Sequence, residues 1–318
     1  MPFAPFVPLR IFSAYSMLDS AIEPKAIAKL AKDRGFPAAA ICDRNGLYGA
    51  VAFAKSCMSE GIQPIVGALL SVARPADATD ARPRIDSLPL FVQDEAGYYN
   101  LCELISQAHL ERPLEQEPHV PFMALEGRTD GLIALTGATE GALTRLLADG
   151  QNAEAEELAN CLANLFPNRL YVELARCGNA IEETAEEALI DLAIRHDLPL
   201  VATNPANFGD PHVHPAHDAM LCIAGSTHIE AEERQRSNRD AWVKSARMME
   251  ELFEDVPEAV ANTLVIAQRC AFAPPYRKPI LPSLAGDQAA EAQMLAEDAR
   301  AGLEARLALY EGLSDDER

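Results

Sequence analysis

The sequence predicts an α/β fold: seven parallel strands with helical crossovers, in an open sheet or closed into a distorted seven-stranded (β/α) barrel, followed by a short helical segment. Three observations predict it. Seven short, β-rich apolar runs recur between residues 6 and 204, and most are nearly continuous rather than alternating, as strands covered on both faces should be. Amphipathic helical patterns separate them, and strand–helix alternation calls for parallel strands with helical crossovers. Finally, 49% of the 318 residues are apolar and 24% charged, a globular composition able to bury a core without disulfides. Seven is an odd count for a regular eight-fold barrel but suits a distorted one.

Taken in order, residues 6–12 form the first run. A helix over 24–34 has proline in its first turn and stops before Gly35. A strand over 37–43 precedes a helix over 47–60, which ends at Gly61, and 64–72 is the third strand. Residues 76–87, rich in Asp, Pro and Arg, read as a surface loop before the strand 88–94 and the helix 98–109. Residues 111–121 read as a second loop, followed by strand 131–137, helix 154–165 and strand 169–175. The clearest helix is 182–196: glutamates crowd its first turns, and Arg195 and His196 close it, matching the helix dipole at both ends. Strand 198–204 is the seventh. Helices over 245–253 and 257–270 follow, then a proline-rich linker over 274–282, a helix over 288–310 and a polar tail over 314–318. The expected domains are a barrel over 1–270 and, over 271–318, a linker with the first helix of another unit.

A net charge of −21 with no contiguous basic run argues against direct contact with nucleic acid by these residues. No stretch has the roughly 20 apolar residues that span a bilayer. The N-terminus has three prolines and no lysine ahead of an apolar run, so it is not read as a secretory signal. Seven scattered cysteines without a CxxC pair imply reduced thiols in a cytoplasmic protein. No glycine-rich phosphate loop is present; Thr136–Gly137 is the nearest approach to a phosphate nest. His212, His214 and His217 have metal-ligand spacing, yet flanking prolines favour surface histidines. Asp43 and Asp94 stand at strand ends, where barrel chemistry gathers.

Five blocks, in order and at fitting intervals, resemble the start of bacterial DNA polymerase III α subunits. They are RIFSAYSMLD at 10–19, PAAAICDRNGLYG at 37–49, GIQPIVG at 61–67, EAGYYNL at 95–101 and LPLVATN at 198–204. The chain is thus similar to the PHP (polymerase and histidinol phosphatase) domain of that family, a distorted seven-stranded αβ barrel. In metal-binding members, histidines and carboxylates at strand ends hold a metal cluster that activates water against a phosphoester. The resemblance places the two opening histidines on Arg10 and Phe12 and the aspartate on Asp19. An Asp-His pair falls on Asp43–Arg44, a glutamate on Leu69, a histidine on Ser87 and a cysteine-like position on Ala138. A further histidine falls on Cys177, and the final Asp-x-His on Pro205 and Asn207. Only Asp19, Asp43 and Cys177 keep ligand-capable groups. The expectation is a vestigial cleft in which Asp19 and Asp43 pair with Arg10 and Arg44, with no metal and no catalysis in this fragment. Retained zinc- or manganese-dependent phosphoesterase or pyrophosphatase activity is the alternative. The resemblance also implies partners, the rest of a polymerase chain and the proofreading exonuclease. The Mg²⁺-dependent polymerase centre is expected well beyond residue 318, so this chain alone is not expected to extend a primer.

Overall fold

Six of the seven expected strands form ladders. The computed structural model describes residues 4–74, 84–112, 115–275, 277 and 282–309. In chain order the elements are α1 (Pro24–Asp33), β1 (Ala38–Arg44), α2 (Ala50–Glu60), β2 (Gln63–Ala73), β3 (Ile85–Val92), α3 (Glu95–Leu110) and β4 (Val120–Pro121). There follow β5 (Leu132–Leu135), α4 (Ala142–Ala148), α5 (Asn152–Leu165), β6 (Leu170–Leu174), α6 (Ala180–Arg195), β7 (Leu200–Ala202), α7 (His214–Ala224), α8 (Ala246–Leu252), α9 (Pro257–Arg269) and α10 (Gln288–Leu307). The sheet order is β1-β2-β3-β5-β6-β7, with the two-residue β4 beside β2.

The first expected strand, 6–12, makes isolated bridges instead of a ladder. Ile11 bridges Ile41 of β1 on one side and Ala206, just past β7, on the other. The Ile11 carbonyl accepts from Cys42 N at 2.8 Å, and Phe12 N donates to the Ala206 carbonyl at 3.0 Å. The segment therefore closes the curled sheet on itself. Pro5 and Pro8 lack amide donors, which is why contact is made through scattered bonds.

The strands are mixed, not all parallel. β3 runs antiparallel to both β2 and β5, while the other pairs are parallel. Residues 74–84, between β2 and β3, are fewer than the dozen or so that a parallel crossover needs. Reversal puts the end of β3 at the opposite rim from the ends of β1 and β6. Asp94 there caps α3, accepting from Gly97 N at 2.9 Å, and so is not a strand-end site residue.

Other boundaries also differ. Residues 85–87, expected in a loop, begin β3, and β4 lies within the second expected loop. Helices α4 and α7 were not expected. Residues 76–83 of the first loop, most of the linker (276 and 278–281), Tyr310 of the last helix and the tail lie outside the described residues.

Side-chain alternation sorts two apolar layers. Ala38, Ala40 and Cys42 of β1, Ile65 and Leu69 of β2, Phe91 of β3, Tyr171 of β6 and Val201 of β7 form the inner cluster. Ile266, Ala267 and Cys270, at the end of α9, join it and plug one end of the barrel. Gly67 leaves room for Phe91: an added Cβ would lie 2.5 Å from its ring. The intervening strand residues face the surrounding helices in the larger cluster. The chain divides into two compact units, 1–274 and 275–318. The second holds α10, which has no buried residue.

Gly131 and Gly150 both have positive φ, +71° and +73°. A Cβ on Gly131 would lie 2.2 Å from Asp94 Oδ1 and 2.5 Å from Gly97 N, whereas Gly150 has nothing within 4 Å. Urea denaturation should show Gly150→Ala costing about 1 kcal/mol from backbone strain alone, and Gly131→Ala costing at least about 2 kcal/mol more. Equal losses would mean that the β5–α3 approach is not tight.

Candidate functional site

The cleft that the sequence points to lies where residues 10–19 cross the end of β1. Arg10 is 1% exposed and Glu173, on β6, is fully buried. One guanidinium nitrogen, Nη1, lies 2.8 and 2.9 Å from the two carboxylate oxygens of Glu173. The same carboxylate accepts from Gly137 N at 3.0 Å and from Thr203 Oγ1 at 2.5 Å. Among the described residues, Arg10 Nε has no hydrogen-bond partner. Burial opposes the Arg10 charge, but Glu173 wins and holds the guanidinium more firmly protonated than usual.

Gly137 is bound to this arrangement by its conformation. Its φ is +91°, and a Cβ there would lie 2.2 Å from the Ser87 carbonyl oxygen. Its amide serves Glu173, so Thr136–Gly137 is not a phosphate nest.

Arg44 forms a second centre. Nε reaches Asp19 Oδ2 at 2.5 Å, while Nη1 and Nη2 meet the two oxygens of Glu140 at 3.0 and 2.6 Å. Phe12 is shared by both centres: the Arg10 and Arg44 guanidinium carbons lie 5.5 and 5.4 Å from its ring centroid. Burial pushes the Glu140 carboxyl up, but the bonds and charge of Arg44 outweigh it and leave Glu140 below its ordinary value.

Asp43 has no arginine. Its Oδ1 accepts from Ser13 N at 2.6 Å and Ser16 Oγ at 2.9 Å, and its Oδ2 from Ser13 Oγ at 2.7 Å. Burial raises its pKa, and these bonds only partly oppose the rise. The pairing expected from sequence is therefore corrected: Arg10 takes Glu173, Arg44 takes Asp19 and Glu140, and serines hold Asp43. Glu140 and Glu173 were missed. A lone glutamate in the apolar run 169–175 was the available sign, since a buried charge needs a partner.

The remaining expected positions are spread around this core. Leu69 packs in the inner apolar cluster with Phe12. Ser87 lies opposite Ser71 in the β2–β3 register. Ala138 and Cys177 form a small buried cluster with Ala175. Burial pushes the Cys177 thiol up to about 12, so it carries no thiolate at neutral pH. Pro205 is half-buried beside the closing bridge. Asn207 Nδ2 donates to the Asp19 carbonyl at 2.7 Å. The same carbonyl lies 3.0 Å from Nε2 of His217, whose Nδ1 is 2.7 Å from Ser237 Oγ. His217 is 3% exposed, which corrects its reading as a surface histidine. Among the described residues, no three His, Cys, Asp or Glu side chains are grouped to hold a metal ion.

The family model of the PHP domain matches residues 8–177. The chain belongs to the PHP domain family. The chain is 42% identical over 311 residues to the DNA polymerase III α subunit of Caulobacter vibrioides, covering 97% of this chain and 27% of that protein. The Rickettsia bellii subunit is 33% identical, with 95% of this chain and 25% of the relative covered. For the Pseudomonas aeruginosa subunit the figures are 36% identity, 83% and 22%. The chain thus spans about a quarter of these relatives' length and is homologous to their N-terminal region. Among solved structures, a protein described as a metal-dependent phosphoesterase from Bifidobacterium adolescentis aligns at 13% identity with a TM-score of 0.44, covering 77% of this chain and 95% of that one. A likeness that distant carries no weight for the site.

Two outcomes test the ion-pair assignment. Glu173→Gln strands a buried guanidinium and should cost about 3–5 kcal/mol in denaturant unfolding. Adding Arg10→Met should return much of that loss, because the glutamine oxygen can still accept from Gly137 N while its amide NH₂ donates to the Thr203 hydroxyl; no recovery would refute the coupling.

The second outcome is the acid limb. The lowered Glu140 pKa contributes stability that is complete above its unfolded value near 4.5 and is lost as pH falls through the folded value. Asp43, raised above 3.8, acts in the opposite sense: its contribution is present below that value and is lost as pH rises through the folded one. Glu140→Gln should flatten the fall in stability below about pH 4.5. An unchanged acid limb, read by thermal melts across pH, would contradict the Arg44–Glu140 assignment.

Proposed function

We propose that the chain is the amino-terminal scaffold domain of a bacterial replicative DNA polymerase α subunit, working in the cytoplasm, with its ancestral metal cleft held by ion pairs. The observation that carries this reading is Phe12 set between the guanidiniums of Arg10 and Arg44. Those are positions where the family pattern puts metal-binding imidazoles. A metal cluster does not fit such a donor set. Two permanent cations repel a divalent ion, and the nearby carboxylates Glu173, Glu140 and Asp19 are already engaged by arginine. No step through a metal follows from this arrangement.

DNA synthesis, and the Mg²⁺ that it needs, belong in this reading to the whole polymerase. The partners are the remainder of that chain and the proofreading exonuclease. A net charge of −21 suits a packing and docking module better than a phosphate-gripping one.

Elemental analysis of protein purified without chelator should find less than stoichiometric zinc and manganese, with no phosphate released from pyrophosphate or a model ester. Stoichiometric metal, lost together with hydrolysis in Asp43→Ala, would establish the phosphoesterase alternative instead. Titration calorimetry against the proofreading subunit should give a saturable heat; its absence with both this chain and the whole polymerase would remove the docking role.

A further inference from the structure

The sequence holds one Asn-Gly pair, Asn45–Gly46, directly after β1. Such a pair is chemically labile, because glycine has no side chain to keep its amide nitrogen from the carbonyl carbon of the asparagine side chain. Asn45 lies in the left-handed region, with φ +44°, and is 9% exposed. Its partners fix which way the side-chain amide points. Oδ1 accepts from Ser71 N at 2.8 Å, while Nδ2 donates to Ser71 Oγ at 2.9 Å and to the Pro118 carbonyl at 3.0 Å. The backbone is held as well. Asn45 N donates to the Leu69 carbonyl at 3.0 Å, and the Asn45 carbonyl lies 2.8 Å from His109 Nε2.

These bonds bear on the pair's chemistry. For Gly46 N to bond to Asn45 Cγ, the side-chain amide must turn its carbon toward that nitrogen, which breaks the bonds to Ser71 and Pro118. Ring closure then forms the C–N bond and breaks Cγ–Nδ2. Nδ2 leaves as ammonia, taking the proton that Gly46 N gives up. Water opens the cyclic imide at either carbonyl, to aspartate or to isoaspartate. A buried and pinned amide has neither the rotation nor the water for this sequence. The weakest part of the pin is Pro118. It lies just before β4, which pairs with β2 through only two residues, one of them a proline, and residues 115–117 beside it are exposed.

We propose that Asn45–Gly46 is a fold-gated modification site, silent while pinned and converted to aspartate or isoaspartate when residues 118–121 lift away from β2. The product makes the opening permanent. Aspartate puts an acceptor oxygen where Nδ2 stood, facing the Pro118 carbonyl, so the segment loses its tie to the end of β1 and meets a repulsion instead. Water is the only reagent consumed. The site stands apart from the Phe12 cleft and does not rest on the polymerase reading.

The 318-residue chain, incubated in mildly alkaline buffer both folded and in urea, tests this by peptide mass spectrometry, read as replacement of the Asn45 NH₂ by OH. Asn45 should convert at least about tenfold more slowly in the folded chain than in urea. Ser71→Ala keeps the Ser71 N–H but removes its Oγ. It should speed conversion in the folded chain about tenfold, the equivalent of one hydrogen bond, and leave the rate in urea unchanged. Equal rates in the folded and unfolded chain would overturn the gate, whether or not Ser71→Ala folds. A natively melting Ser71→Ala with an unaltered folded rate would overturn the pin. Asn45→Asp should speed hydrogen exchange in peptides spanning 115–121 while β5–β7 stay protected; unchanged exchange would overturn the permanence of the opening.

Discussion

The buried Arg10–Glu173 pair is the constraint around which one end of the barrel is arranged. A guanidinium and a carboxylate removed from water cost several kcal/mol each unless geometry and further hydrogen bonds compensate. Here the compensation comes from separate parts of the ring: Arg10 from the closing segment, Gly137 after β5, Glu173 from β6 and Thr203 after β7. Each group is useful only if the others are in register. The pair is therefore weak evidence for net stability and strong evidence for specificity of closure. It also explains a local oddity. Gly137 must point its amide at Glu173 while its α-carbon passes the Ser87 carbonyl, a combination that only glycine allows.

The two ends of the barrel are closed by different chemistry. At one end, Ile266, Ala267 and Cys270 of α9 supply an apolar plug. At the other, Phe12 is covered by two guanidiniums whose charges are returned to carboxylates on other segments. Reversal of β3 decides which carboxylates can take part. Asp94, which follows β3, is carried to the far rim and spent on a helix cap, while Ser87, near the start of β3, is left beside the Gly137 turn.

The fold was legible where covalent chemistry dictates it. The runs over 37–43, 64–72, 131–137, 169–175 and 198–204 are continuous and apolar because both faces are covered, and all five lie on ladders. Direction was not legible, since a β-rich run carries no mark of its polarity; only the short 74–84 connection bears on it. The 6–12 run has strand composition, but Pro5 and Pro8 deny it a ladder, which proline counting could have anticipated. At the cleft, the resemblance singled out Arg10, Phe12 and Asp19 of one segment and Asp43 and Arg44 of β1, yet the pairing needed three dimensions. Glu140 and Glu173 are distant in sequence from the arginines that they bind, and no local pattern links them.

Arginine in place of histidine changes more than metal affinity. An imidazole titrates near neutrality, so a cluster of imidazoles is held together by a metal or disperses its charge with pH. A guanidinium stays charged throughout, and Arg10 and Arg44 are both pushed further in that direction by their carboxylates. The cleft's pH sensitivity is thereby transferred to acids, Glu140 being held below its ordinary value by Arg44 and Asp43 raised above its own by burial. Phe12 completes the exchange: its ring fills the space between the two cations and offers each a π face in place of a shared ligand. Around that ring the fold gathers Arg10 with Glu173 and Arg44 with Asp19 and Glu140.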